Sequence, residues 1–132
     1  MKNEYGSLTV EMVLLAPALM ALVLFGVHSG RLSEAKVQVQ HAADQGARAG
    51  SLAGESKITS AAKFATETDL KLGGVSCERY SISVDLVEAG AVSAVRVHVS
   101  CSVRVDGTEL LGLLPDQVSA SSIEVIDTWR IP

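Results

Sequence analysis

The strongest constraint on this chain is an apolar run close to its N-terminus. No Asp, Glu, Lys or Arg occurs from Met12 to Ser29, and most positions in the run are Leu, Val, Ala or Met. A helix needs roughly 20 apolar residues to cross the hydrocarbon core of a bilayer, so the run is long enough only if it begins near Ser7. The sequence therefore predicts one membrane-spanning helix, whose transmembrane part is residues 7–30.

Two residues inside this span are unusual for a membrane helix. Glu11 is acidic, and a carboxylate in such a segment costs roughly 2.5–3.5 kcal/mol on insertion scales, so it is interpreted as functional and needs a partner. Pro17 removes one backbone donor, which predicts a local kink. Gly6 stands five residues before the acid and ends a short polar leader, residues 1–6.

These features resemble the N-terminus of a type IV pilin-like precursor. More narrowly, they resemble TadE-like proteins, the pseudopilins of Tad (Flp-type) adhesion pili. The matching features follow one another along the chain as Gly6, Val10-Glu11, Pro17, Gly30-Arg31 and Ala47-Arg48.

The resemblance implies a function and a set of partners. A prepilin-type peptidase would cut after Gly6, which makes Ser7 the first residue of the mature chain and Glu11 the fifth. Glu11 would pair with a mature N-terminal amine, its own or a neighbour's, and so set the register between subunits. The chain would be a minor pilin-like subunit, because major Flp-type pilins lack a sizeable C-terminal domain. Its partners would be other pilin-like subunits, the peptidase, the pilus assembly machinery and the cell membrane.

Two alternatives for the N-terminus remain open. A secretory signal peptide has a basic start and a small-residue cleavage site after its apolar region; here Glu4 offsets Lys2, and Ala18 lies inside the run. The other alternative is an unprocessed single-pass membrane protein with an extracytoplasmic binding domain. The first residue of the mature chain separates the three possibilities. A start at Ser7 supports the pilin-like precursor, a start at Met1 the unprocessed membrane protein, and a start beyond Ala18 the secreted protein.

Composition argues against several other functions. The net charge of −4 gives no basic surface for nucleic acid. The three histidines, His28, His41 and His98, are scattered, and no Cys/His spacing is typical of zinc. Phosphate-binding glycine loops and nucleophile motifs do not occur in the sequence. We therefore expect neither an enzyme nor a bound cofactor or metal.

The two cysteines, Cys77 and Cys101, both follow the span. A cysteine pair in an exported domain predicts a disulfide, whereas two buried free thiols are the alternative. A disulfide would place the C-terminal domain outside the cytoplasm and the N-terminus inside it. The positive-inside rule is a weak guide to orientation here, because the basic residues Arg31 and Lys36 follow the span, so the cysteines decide the orientation better.

Helical periodicity continues after the span. We expect residues 31–54 to be an exposed amphipathic part of the same helix, which ends near Leu52 at Gly50, Gly54 and Glu55. Its small or apolar face comprises Leu32, Ala35, Val39, Ala42, Ala43, Gly46 and Ala49.

A small α+β domain is predicted over residues 55–132. Its helix would cover Lys57–Leu72, capped by Ser56 and stopped by Gly73-Gly74. The residues predicted to line one face of this helix are Ile58, Ala61, Ala65, Thr68 and Leu72, with Phe64 beside them.

Alternation of apolar and polar residues over 78–105 predicts a β-hairpin linked around Ala89-Gly90. Matching the apolar faces places Ile82 opposite Val97 and Cys101 opposite Glu78. A bond between the cysteines would then require a bulge, or a Cys77 that precedes the strand.

The end of the chain predicts one more strand. It begins at Val118 and contains a slip near Ser121-Ser122, after a leucine-rich turn in residues 107–117. The Asp-aromatic-Arg ending at 127–130 is similar to the end of TadE-like chains. The expected architecture is a long membrane-spanning helix, a second short helix and a small antiparallel sheet, as in pilins.

Overall fold

The computed structural model describes residues 5–74, 77–103 and 117–128, with backbone only for residues 5–8 and Ala89. It confirms the predicted α+β class. The elements, in chain order, are α1 (Tyr5–Leu52), a 3-10 turn (Glu55–Lys57), α2 (Ile58–Leu72), β1 (Cys77–Ala89), β2 (Val92–Val103) and β3 (Gln117–Val125).

The chain divides into two compact units, Met1–Arg31 and Leu32–Pro132, and α1 contributes residues to both. In the first unit α1 carries the apolar run, and its bulky side chains are between 52% and 72% exposed from Val10 to Val27. Within the described residues, α1 is the one helix that is long and apolar enough to cross a membrane, with a mean hydropathy of 2.3 over its most apolar window. The structure therefore contains one candidate membrane anchor near the N-terminus.

The second unit is built on a three-stranded antiparallel sheet in the order β1-β2-β3. Alternate residues of the central strand point to one side, where Val95, Val97, Val99 and Cys101 are fully buried. This side of β2 forms a single core with α1 and α2. The sheet therefore has one covered side and one polar outer side.

The small-residue face of α1 is largely confirmed. Ala35, Val39, Ala42 and Ala43 are buried to 3% exposure or less. The predicted helix end near Leu52 is confirmed, although Gly50, which the sequence suggested as part of the break, is a buried residue inside α1. A Cβ at Gly50 would lie 3.1 Å from the Ala62 Cβ and 3.2 Å from the Val95 Cγ1, so glycine is needed there for packing.

The predicted cap of the second helix is wrong. The N-cap residue is Lys57, which makes no side-chain capping hydrogen bond. Ser56 lies instead inside the 3-10 turn, where the Lys57 amide donates to the Gly54 carbonyl at 2.7 Å. Ser56 is therefore one position too early to cap α2.

The buried face of α2 also differs from the prediction. It is formed by Ile58, Ala62, Thr66 and Leu70, whereas Leu72 is 81% exposed. The small residues of this face lie against α1: a Cβ at Gly46 would meet the Thr66 Oγ1 and would lie 3.1 Å from the Ala62 carbonyl oxygen. Close approach to α1 therefore decides the orientation of α2 more than the number of large apolar residues on either side.

The β-hairpin is confirmed, with a two-residue turn at Gly90-Ala91. Gly90 has φ +69° and Ala91 has a negative φ, which is the type II′ pattern with glycine in the first central position. The turn lies one residue later than predicted, so Ile82 pairs with Val99 and not with Val97. A shift of two residues between partners leaves every side chain on its predicted face.

The third strand is confirmed, but its predicted slip is wrong. β3 pairs with β2 in one register throughout, so Ile123 and Val125 lie on the outer side of the sheet with 50% and 54% exposure. The leucine-rich turn lies outside the described residues from 104 to 116, and the Trp129-Arg130 part of the tail is outside them too.

Candidate functional site

Glu11 lies in the exposed apolar segment of α1. It is exposed, and its sequence neighbours Val10 and Met12 are 62% and 72% exposed. Within the described part of the chain no salt bridge joins Glu11 to another side chain. If this segment crosses a membrane, an unpaired carboxylate in it is costly. The exposed Glu11 carboxylate is therefore accessible to a cationic partner that does not belong to the described residues.

The predicted cleavage position precedes Glu11 by one helical turn. The backbone of Gly6 and Ser7 belongs to the first turn of α1. First turns fray, and glycine is the second-weakest helix former after proline. Opening the backbone at this bond is therefore easier than in the interior of the helix. Pro17 lies inside α1 and cannot donate to the Val13 carbonyl, and a kink there stays a prediction.

Gly26 and Gly30 lie further along the same segment. Within the described part of the chain, a Cβ at either position would meet no group within 4 Å, apart from the backbone of the helix itself and its chain neighbours. Packing within this copy therefore does not require glycine at these positions.

The disulfide predicted from sequence is present. Cys77 and Cys101 are bonded, with a Cα–Cα distance of 5.5 Å. The ladder between β1 and β2 shifts between Cys77 and Arg79, and Cys77 pairs with Val103. This bulge moves Cys77 out of the strand alternation, as the register argument required. The bond joins the edge strand to the buried residue Cys101 at the centre of the sheet.

The histidines occupy three different environments. The His41 Nδ1 is 2.8 Å from the Asp69 Oδ2, which links α1 to α2. The hydrogen bond with Asp69, followed by the charges of Asp69 and Asp44, raises the pKa of His41 above its ordinary value of 6.5. This pair could not be predicted from the sequence, because the two residues are far apart in the chain and neither stands in a motif.

The other two histidines lie apart from this pair. His28 is 5% exposed, and neither of its ring nitrogens has a hydrogen-bond partner among the described residues. His98 is exposed on the outer side of β2, where it pairs with Ser83 and Ser121. In the described part of the chain, no three His, Cys, Asp or Glu side chains form a group that could hold a metal.

Residues 6–48, about a third of the chain, match the family model described as TadE-like protein. This match confirms the resemblance predicted from the sequence, and it includes Gly6, Ser7, Glu11 and Pro17. The disulfide and the whole sheet lie outside it. No curated protein and no solved structure matches the chain.

Proposed function

We propose that this chain is a minor pilin-like structural subunit of a Tad/Flp-type adhesion pilus. One observation carries the proposal: the TadE-like match covers the segment in which Gly6, Ser7 and Glu11 stand at prepilin spacing on an exposed apolar helix. In this function the chain has a structural role and not a catalytic one. It is anchored by α1, cut after Gly6 by a prepilin-type peptidase and then assembled with other pilin-like subunits.

The disulfide supports the orientation. Disulfides form and persist in oxidising compartments. The bond between Cys77 and Cys101 therefore supports an extracytoplasmic position for the domain that contains it. The N-terminal leader then lies in the cytoplasm, where the peptidase would cut it.

Glu11 supplies the mechanism of assembly. Cleavage creates a cationic amine at Ser7, four residues before Glu11, which is about 6 Å along a helix axis. An ion pair in an apolar environment is favourable only where both charges are satisfied, and an isolated charge is costly. A subunit inserted beside another mature N-terminus satisfies both charges, so Glu11 favours one register between neighbours.

The first test is processing. Co-expression with a prepilin-type peptidase should shorten the chain by residues 1–6, and Gly6→Leu should leave the precursor uncut. Gly26→Leu is the matched control, since it makes the same change in the same helix and should be cut normally. A wild-type chain that keeps Met1 beside an active cognate peptidase would remove the main support and favour an unprocessed membrane protein with an extracytoplasmic binding domain.

The second test separates insertion from assembly. Glu11→Leu should insert at least as well as the wild type, because the acid opposes insertion by roughly 2.5–3.5 kcal/mol. Both Glu11→Leu and Glu11→Gln should lose co-purification with other pilin-like subunits at matched levels of processed protein. Normal assembly by both variants would show that Glu11 does not set the register.

A further inference from the structure

We propose that the groove between α1 and the end of α2, lined by Val37 and Leu72, rests on the surface of the membrane that holds the chain. The partner is the headgroup layer of that bilayer. This contact goes beyond the proposed function, because it requires neither cleavage nor another subunit. It does require that α1 anchors the chain in a membrane.

The groove, called the Val37–Leu72 groove below, is apolar and open. Val37 is 67% exposed and Leu72 is 81% exposed, although both are large apolar side chains. They line one shallow groove together with Gln38 and Gly73. Single exposed apolar residues are ordinary on a protein surface. Leu72, however, is the most exposed of the large apolar side chains in the described part of the chain, and a second one lies beside it.

The packing of α2 places this groove at one particular end of the second unit. A Cβ at Gly50 would lie 3.1 Å from the Ala62 Cβ near the start of α2, whereas Gly73, just after the end of α2, lies beside Gln38. The helix α2 therefore runs back along α1. Since the second unit begins at Leu32, the Val37–Leu72 groove lies at the end where α1 enters it.

This end is close in sequence to the apolar run. Val37 follows Ser29, the last residue of the uncharged run, by eight residues, which is about 12 Å along a helix. The headgroup layer extends about 5–7 Å beyond the hydrocarbon core. Taking Ser29 as the edge of the core, a tilt of about 30° toward a neighbouring helix whose axis is about 9 Å away lowers the groove to about 6 Å. Membrane helices tilt by roughly 0–40°, so this tilt is ordinary.

The charges around the groove do not select anionic lipids. Two lysines and one histidine face four acidic residues, and these are Lys36, Lys71, His41, Glu34, Asp44, Glu67 and Asp69. His41 and Asp69 are bonded to each other. The contact therefore depends on the two apolar side chains, and phosphatidylcholine is sufficient for it. The long stem of Lys71 lets its ammonium reach a lipid phosphate beside Leu72.

Continuity with the anchor identifies the occupant. Every copy that α1 holds in a bilayer has a lipid surface at this end, whatever other proteins are present. An exposed apolar pair flanked by lysine stems is a composition that suits the boundary between headgroups and acyl chains.

The first measurement uses the uncleaved full chain in phosphatidylcholine vesicles, in which part of the lipid carries bromine on its acyl chains. Bromine quenches tryptophan fluorescence only at close range. In a Trp129→Phe background, which removes the single native tryptophan, Leu72→Trp should be quenched and Phe64→Trp should not. Phe64 is the matched control, because it is 74% exposed on the same helix but stands eight residues, or about 12 Å, before Leu72.

Tryptophan itself favours membrane interfaces, so a second measurement keeps the native leucine. A membrane-impermeant acylating reagent labels lysines, and mass spectrometry compares Lys71 with Lys63 of the same helix in the same molecules. Lys71 should react about threefold more slowly than Lys63, because its ammonium lies among the headgroups. Leu72→Ser should remove this difference, whereas Phe64→Ser should preserve it.

The proposal is overturned if bromine quenches both tryptophans equally or neither, or if Leu72→Ser leaves the labelling of Lys71 unchanged. It is also overturned if quenching appears only after phosphatidylglycerol is added. Loss of the slow labelling on dilution of the vesicles with lipid would overturn it too, because a second copy would then cover the groove. A chain that stays in the carbonate pellet without quenching would sink this contact and leave the proposed function standing, since processing is measured separately.

Discussion

The two halves of α1 differ in which apolar side chains are buried. From Val10 to Val27 the large apolar side chains are 52–72% exposed, whereas from Ala35 to Ala47 the buried apolar residues, mostly alanines, are at most 3% exposed. Apolar content alone therefore does not tell which part of a helix is buried in its own protein. Bulky residues on all sides suit lipid or other helices, while a stripe of small residues allows a neighbouring element to approach closely.

The glycines show this difference most directly. Gly46 and Gly50 are four residues apart in a Gly-x-x-x-Gly pattern, and Ala62, Thr66 and Val95 pack against them. Gly26 and Gly30 have the same spacing in the apolar half, and no described residue packs against them. The same spacing therefore has a packing role in one half of the helix and leaves an open surface in the other.

Removing the disulfide should have the largest effect, and only on the second unit. The double variant Cys77→Ser/Cys101→Ser should lower the free energy of unfolding by about 3 kcal/mol, because the bond closes a loop of 24 residues in sequence separation. Urea unfolding in detergent, followed by proteolysis of the second unit, measures the change.

Membrane insertion of the same variant is the control. Carbonate extraction should leave it in the membrane fraction as completely as the wild type. Loss of insertion would instead show that insertion of the apolar half of α1 depends on the folded second unit.

A bulky residue at Gly46, where α2 packs against α1, should have the next largest effect. Gly46→Leu forces a side chain against Thr66 and the Ala62 carbonyl, which should cost about 1–3 kcal/mol of unfolding free energy. Leucine is preferable to alanine here, because alanine gains about 1 kcal/mol of helix propensity and would mask part of the clash.

Gly26→Leu is the matched variant in the apolar half. It should leave the urea midpoint of the second unit unchanged, since a Cβ there lies within 4 Å of no described residue outside its own helix backbone and chain neighbours. Equal destabilisation by both variants would mean that the Gly26 surface is already in contact with something in detergent solution.

Local sequence patterns predicted the elements well, and they predicted the contacts between elements less well. The alternation in β1 and β2 identified both strands, and the conflict between Cys77 and the strand register correctly indicated a bulge. The buried side of α2 was missed, because it depends on which small residues fit against Gly46 and Gly50 of another helix. Helical periodicity carries no information about that partner.

The error in β3 has a different cause. The slip was inferred so that Ile123 and Val125 would face the core, but the hydrogen-bonded ladder keeps its alternation. β3 pairs with a single described strand, and the described helices pack on one side of the sheet only, so apolar residues on the other side need not be buried. The link between His41 and Asp69 could not be predicted either, because it depends on the packing of α1 against α2.

The smallest expected effect concerns pH, and it too is confined to the second unit. The hydrogen bond and charge of Asp69 raise the pKa of His41, so the folded state binds this proton more tightly than the unfolded state. The contribution to stability is therefore fully present below the ordinary pKa of 6.5 and is lost as pH rises through the higher folded pKa.

The urea midpoint of the wild type should accordingly exceed that of His41→Gln at about pH 5.5, and the difference should shrink by about pH 8.5. Because both side chains are accessible to solvent, with 60% and 28% exposure, the difference will be small and will weaken with salt. Asp69→Asn should remove the same pH-dependent part, and the double variant should remove no more than either single one. If His41→Gln and Asp69→Asn acted additively, the two side chains would stabilise the protein separately. The packing of small residues, such as Gly46 against Ala62 and Thr66, would then be what stabilises the contact between α1 and α2.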